Sequence, residues 1–475
     1  MQEKRMKIKL TDYLKNKWDF CLLYTLLLFS SMNYFYIDSG LIFTQTIEFW
    51  DAVFSGHIFS YNNGYYNIFM MILISIWEFP IYIIKLVSGI NVLENFFCQV
   101  YYKLGILLLV IWSAHILKLI SKELKFSEKN QKRIEFMYCS SVFVFIAACL
   151  TGQTDIYGLF FTLLAILYLM RGRMKMFFLF FILAVQCKYF PFFLLVPIIL
   201  LIEKNILKIL AYIVSPFIVG FLFDLPLRSG EGLGNAQLNT ALTLKNLAAG
   251  FTIPLSDIEI SLPLIIFIAV CIWAYLKNTP ENNIGYWYIY LPLLSTTAIF
   301  LTERNDPYRL IYLAPFITLI VMSNLGNYFR KMTVEIVATI CLTVGLMIEC
   351  PYCFDFSAMH HMLMDRILPF KKFILYGTEN LTSCLTSENL YGLWTLLIGV
   401  FVVWMIGLLY YNHPDKYTVY PIEDIDSKNA EEIKKIDKVL IIRMIAFFLI
   451  TNHTTVSYAA AVLLEIGRKI VLILS

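Results

Sequence analysis

The chain has 475 residues, of which 59% are hydrophobic and 15% charged, with a formal net charge of +4 and a mean hydropathy of +0.70. Apolar runs of about 18 residues recur along its whole length, more greasy surface than a soluble fold can bury. A transmembrane β-barrel, built from alternating segments of ~10 residues, is excluded by the same continuous runs, and nothing in the charge pattern points to nucleic acid. The sequence therefore specifies an all-α, polytopic helical membrane protein.

In chain order, the basic segment 1–18 precedes an apolar run from Phe20 to Tyr36 with no small-residue cleavage site. This predicts an uncleaved signal anchor with a cytoplasmic N-terminus, so that the first helix ends at Asp38 on the outer side. A first outer loop, 37–98, follows. Its opening stretch, Asp38 to Asn67, gathers Asp38, Glu48, Asp51 and His57 among many aromatic residues, as expected for the wall of a site at the membrane surface.

The run Tyr65 to Ile90 is apolar enough to span but contains Glu78, Pro80 and Lys85. If it spanned, Lys118, Lys122, Lys125, Lys129, Lys132 and Arg133 would lie outside, against the positive-inside rule. The run is therefore placed on the outer side, as interfacial or re-entrant helices shielded by protein. With that choice the basic turns alternate regularly, through a helix from Arg133 to Thr151 and onward, to give about 13 spans of ~20 residues. Further outer loops fall at 224–257, 302–308 and 350–389. The membrane domain 19–411 is followed by a charged cytoplasmic linker, 412–438, and a last apolar segment, 439–475.

The consequence is that Asp38, Gly152 to Asp155 with Gln153, Lys188, Asp224, Arg228 and Glu303 to Arg309 with Arg304 collect at outer helix ends, where ionisable groups are costly and tend to be functional or paired. Each has a plain reading as well. Asp155, in Thr-Gly-Gln-Thr-Asp, suits a helix N-cap. Lys188 could snorkel to the boundary. Arg304 and Arg309 could pair with Glu303 or Asp306, or else grip a phosphate bidentately. Most cysteines sit in apolar helices as small packing residues; Cys350, Cys353 and Cys384 fall in an outer loop, where CPYC lacks the βαβ context of a redox motif. No motif demands a metal or other cofactor: His360 and His361 are adjacent and cannot share one helix face.

The stretch GQTDIYGLFFTLLAILYLMRGRMKMFFLFFILAVQCKYFPFFLLVPIILL resembles the central part of GT-C superfamily glycosyltransferases. In that superfamily an outer GQ-D-type loop leads a helix to a basic cytoplasmic turn, and the next helix ends in Lys-x-x-Pro. The order of parts is similar over about residues 19 to 330: an acidic residue after the first helix, a long outer loop, and a late outer turn from Glu303-Arg304 through Tyr308-Arg309 to Pro315. The nearest resemblance is to bacterial polyprenyl-phosphate-mannose-dependent mannosyltransferases and the glycosylphosphatidylinositol mannosyltransferase I group. Two departures stand out. Asp38 lacks the second adjacent carboxylate many members have, and Thr302 stands where many have histidine.

The resemblance implies transfer of a mannose-like hexose from a polyprenyl-phosphate sugar donor to a lipid-linked or cell-envelope glycan acceptor, by inverting displacement on the outer face. By resemblance and position Asp38 is the expected base, with Glu48 and Asp51 as alternates. Arg304, Arg309 and Lys188 would meet the phosphate, with Gln153, Asp155 and Glu303 about the substrate. Residue usage rich in Phe, Ile and Lys suggests a low-GC bacterium, hence a plasma-membrane location. KVLIIRMIAFFLITNHTT faintly resembles the first helix of membrane acyltransferases through Arg443, Ala446 and His453, with an ordinary last helix as the alternative. Two other classes stay open: an outer-face glycan polymerase or ligase working through His360, His361 and Arg366, and a lipid-linked glycan transporter.

Overall fold

The computed structural model describes residues 17–56, 67–224, 252–255, 258–278, 283–300, 306–323, 328–350, 354, 359–361, 391–415 and 430–453. Within them the chain is helical almost throughout, and the helices fall on the apolar runs. α1 (Trp18–Asn33), α2 (Ile37–Phe54) and α3 (Ile68–Ser88) precede the long α4 (Phe96–Glu123) and α5 (Glu128–Cys139). After a break come α6 (Asp155–Met170), α7 (Met174–Cys187), α8 (Phe190–Ile202), α9 (Ile206–Asp224), α10 (Leu262–Leu276) and α11 (Ile284–Phe300). A 3-10 turn, Pro307–Tyr312, leads into α12 (Ala314–Ser323), followed by α13 (Tyr328–Glu349), α14 (Tyr391–Tyr411) and α15 (Ala430–Thr451).

Among the described residues, α3, α4, α9, α13 and α14 are long and apolar enough to cross a bilayer, and the bent pair 128–139 with 142–150 can make a sixth crossing. This is the helix set of an integral membrane protein. The other apolar helices are shorter, with α6 and α7 at 16 and 14 residues. Sixteen residues rise about 24 Å, less than the ~30 Å hydrocarbon core, so not every apolar run yields a helix of full bilayer length. The hairpin between α6 and α7 turns tightly at Gly172, whose φ of +69° is a left-handed conformation that glycine adopts without strain.

The first helix ends earlier than its apolar run suggests. α1 stops at Asn33, and Tyr34–Tyr36 is an extended strand, β1, paired antiparallel with β4 (Met359–His361); Tyr34 lies opposite His361 and Phe35 opposite His360. A Tyr-Phe-Tyr triplet is apolar enough to continue a helix, but its aromatic residues also favour a strand that finds a partner. Asp38 therefore begins the second helix instead of ending the first. A hairpin joins β2 (Thr252–Leu255) to β3 (Ile258–Ser261).

The helix expected from Arg133 to Thr151 is broken. α5 ends at Cys139, and Val142–Leu150 continues at a 44° bend, winding as a π-helix over Phe145–Leu150. Arg443 on α15 reaches the break. Its Nη1 donates to the Met137 carbonyl and to Ser140 Oγ, both at 3.0 Å. Its Nε and Nη2 donate to Glu335 of α13 at 2.9 and 2.7 Å. Backbone groups freed by the bend are thus met inside the protein, as a low-dielectric setting requires. Arg443 is accordingly a structural tie, and the stretch expected to be a linker up to residue 438 is already helical from Ala430. Arg133 Nε also reaches Asp437 at 2.8 Å.

α3 packs mainly on α2. Asn67, just before it, donates to Gln186 at the end of α7 (3.3 Å). Trp77 donates to the Tyr101 carbonyl (3.0 Å) and stacks on that ring. Gly105 admits the indole, since a Cβ there would lie 2.6 Å from its nitrogen. These contacts fall at the ends of α4 and α7 that the charge pattern assigns to the outer face.

Candidate functional site

Four stretches distant in sequence meet at that end of the bundle: the first turn of α2, the bend 151–155, the α7–α8 junction and the 3-10 turn. The bend is shaped by Gly152, with φ +58°, where an added Cβ would sit 2.9 Å from Ser39 Oγ and 3.2 Å from Lys103 Cε. Ser39 Oγ donates to the Thr151 carbonyl and, at 3.3 Å, to that of Gly152. Tyr102 Oη donates to the same Gly152 carbonyl at 3.2 Å. No larger residue would let the α2 turn approach so closely.

Held in this way, Gln153 Nε2 donates to Asp38 Oδ2 at 3.2 Å. Partial burial raises the pKa of Asp38 above the usual carboxylate value; the Gln153 hydrogen bond opposes the rise, the charge of Asp306 adds to it, and Lys188 and Arg309 counter it. Asp38 is therefore a carboxylate with basicity above the ordinary range, facing charges from both later stretches.

Asp155 is the first residue of α6, and the N-cap position is Thr154, whose side chain makes no capping bond. The expected cap role of Asp155 is thus corrected: the Gly152 bend ends one residue earlier, so the carboxylate lies within the first turn, where the helix dipole still favours it. The Asp155 side chain is 1% exposed and faces Lys188 Nζ at 3.6 Å. Neither of its oxygens accepts a hydrogen bond from the described residues, and the buried Tyr312 Oη and Thr154 Oγ1 are also unmet there. Buried polar groups without partners are costly, and here three gather at one helix start. Gly158, one turn along, makes room for the phenol, because a Cβ there would lie 2.5 Å from Tyr312 Oη.

The 3-10 turn contributes Arg309, whose Nη2 lies 2.9 Å from Asp306 Oδ2, so the plain ion pair weighed for it is present. Tyr308 Oη donates to the same carboxylate oxygen at 2.9 Å. The guanidinium also lies over the Phe190 ring, 5.4 Å from its centroid. Cation–π contact adds to the ion pair in holding it at the α8 start.

The structure thus brings together Asp38, Gln153, Asp155, Lys188 and Arg309. It does not bring in the alternates. Asp51 stands thirteen residues beyond Asp38, about 20 Å along one rigid helix, and is held by Lys85 Nζ at 2.6 Å and Tyr82 Oη at 3.0 Å. Glu48 is exposed on the same helix. A shared loop would have let them approach; a continuous α2 prevents it. Arg228, Glu303, Arg304, His57, Arg366, Cys353 and Cys384 lie outside the described residues. Among those described, no group of three or more His, Cys, Asp or Glu could hold a metal ion.

Sequence reasoning missed Tyr312 and Lys103. The signal for Tyr312 was its place one 3-10 turn after Arg309; for Lys103 it was a lone charge seven residues into a long apolar helix. The assembled groups can deprotonate a hydroxyl and bind an anion side by side. Comparison of the chain with protein-family models, with curated proteins and with solved structures returns no match.

Proposed function

We propose that the chain is a GT-C-type membrane glycosyltransferase, moving a hexose from a polyprenyl-phosphate donor to a lipid-linked or envelope glycan acceptor at the outer face of a bacterial plasma membrane. The observation that carries the reading is the meeting of a basic carboxylate, Asp38, with two cations, Lys188 and Arg309, from segments more than a hundred residues apart. In this reading α3 stays at the outer surface and the shorter apolar helices count as spans, giving about 13 in all.

The acceptor hydroxyl attacks the anomeric carbon and gives its proton to Asp38 as general base. The carbon–phosphate oxygen bond breaks with inversion, and the electron pair leaves on the lipid phosphate. Arg309 and Lys188 stabilise that developing charge; Arg309 has the planar fork that suits phosphate. Both cations rest on carboxylates, Asp306 and Asp155, which keep them ordered before substrate arrives. Asp155 and Tyr312, with unmet polar atoms, are placed to hold sugar hydroxyls.

The test is release of polyprenyl phosphate by the purified protein in lipid nanodiscs, given a panel of polyprenyl-phosphate hexoses and an envelope-lipid extract. Acceptor-dependent release with one donor supports the reading, and no release from folded protein with any donor contradicts it. A polymerase or ligase is the second reading, favoured by one observation: the β1–β4 pairing sets the His360 and His361 backbone opposite residues three and four before Asp38. Loss of activity in His360→Ala or His361→Ala with Asp38→Asn still active would select it.

A further inference from the structure

Lys103 is 1% exposed, near the start of α4, and among the described residues no charged partner holds it. Its ammonium instead donates to three backbone carbonyls: Tyr34 at 2.5 Å, Leu150 at 3.2 Å, and Cys149. An ammonium has three donors and no acceptor, so all three are used and none remains for a phosphate. This separates Lys103 from Lys188, although both lie at the same end of the bundle.

The three carbonyls belong to two segments. Tyr34 lies four residues before Asp38. Cys149 and Leu150 end the π-wound segment, three residues before Gln153. The same turn of α4 supplies Tyr102, which holds the Gly152 carbonyl, and the Lys103 stem lies against Gly152 itself. We propose that Lys103 is a positioning residue: its buried ammonium fixes the two segments that carry Asp38 and Gln153, and so sets the depth and hydrogen bonding of the base. The catalytic part of this inference rests on the glycosyltransferase reading; the positional part does not.

Replacing the ammonium by a methyl-ended chain of similar length takes the Lys103 donor away from three buried carbonyls, which a dry interior penalises. The segments then separate, and Asp38 gains water. Two measurements on Lys103→Met in nanodiscs follow. The first is hydrogen exchange, which needs no substrate: amides of residues 34–40 and 149–155 should lose protection together, while α14 and α15 keep theirs. The second is the pH profile of polyprenyl-phosphate release. kcat should fall about 100-fold, as displacement of a reacting group by ~1 Å does, and the acid limb should move toward the ordinary carboxylate range, a shift that general destabilisation would not produce.

Unchanged exchange in both segments, or a wild-type kcat with an unmoved acid limb, overturns the proposal. If Lys103→Met does not accumulate as folded protein, Lys103→Gln keeps part of the donor set on a shorter stem; it should lower kcat about tenfold with the same limb shift, and a wild-type profile there overturns the proposal equally. Normal turnover in Asp38→Asn would instead sink the catalytic reading while leaving the exchange result to judge Lys103 alone.

Discussion

Two ion-paired clusters in this molecule differ in what they leave open. Arg443 is 1% exposed and bonded to Glu335, the Met137 carbonyl and Ser140 at once. Its partner Glu335 is equally buried, so charge and donors are matched inside the bundle. The cluster around Asp38 and Asp155 is not closed in this way. Asp155 faces Lys188 at 3.6 Å with neither oxygen hydrogen-bonded by the described residues, Tyr312 Oη is unmet, and Asp38 keeps partial access to solvent. A satisfied pair fixes a fold, whereas unmet polar groups beside it describe a place for a ligand.

That comparison can be broken first at Asp38. Asp38→Asn should fold normally and lose about 10²- to 10⁴-fold in turnover, the usual worth of a general base; the release assay checks it. Glu335→Ala should do the opposite, costing about 3–5 kcal/mol because it strands a buried guanidinium, seen as a lower Tm in detergent with little change in turnover per folded molecule. Arg309→Lys keeps the charge but loses the fork, and donor affinity should fall about tenfold to a hundredfold, the worth of charged hydrogen bonds, read as a raised KM. The smallest effect belongs to Asp51→Asn. Its pair with Lys85 is 35–48% exposed, so stability should change by no more than ~1 kcal/mol and turnover should hold.

Much of this was legible in the sequence, for a physical reason. Apolar runs and basic turns locate helices and their ends without any knowledge of packing, so Asp38, Gln153, Asp155, Lys188 and Arg309 could be assigned to one face. What packing alone decides was hidden. Tyr34-Phe35-Tyr36 became a strand because β4 lies beside it, which moved Asp38 into a new helix. The break before Val142–Leu150 is met by Arg443, three hundred residues later, through Ser140. Asp51 seemed a neighbour of Asp38 only while the intervening chain was read as a loop. Lys103 showed only as a lone charge in an apolar helix; its role was hidden, since its three acceptors come from two distant segments.

The central claim is that Asp38 is the base of an outer-face transfer reaction, and it is tested most directly by kcat/KM for polyprenyl-phosphate release against pH. Asp38 accepts a proton only when ionised, so turnover should fall as pH drops through its raised pKa, giving an acid limb above the ordinary carboxylate range. The folded protein also holds that proton more tightly than the unfolded chain, so ionisation withdraws some stability as pH rises through the same value; the active form is the slightly less stable one. The account predicts this limb in the wild type and its disappearance, with turnover, in Asp38→Asn. A wild-type profile in Asp38→Asn would contradict it.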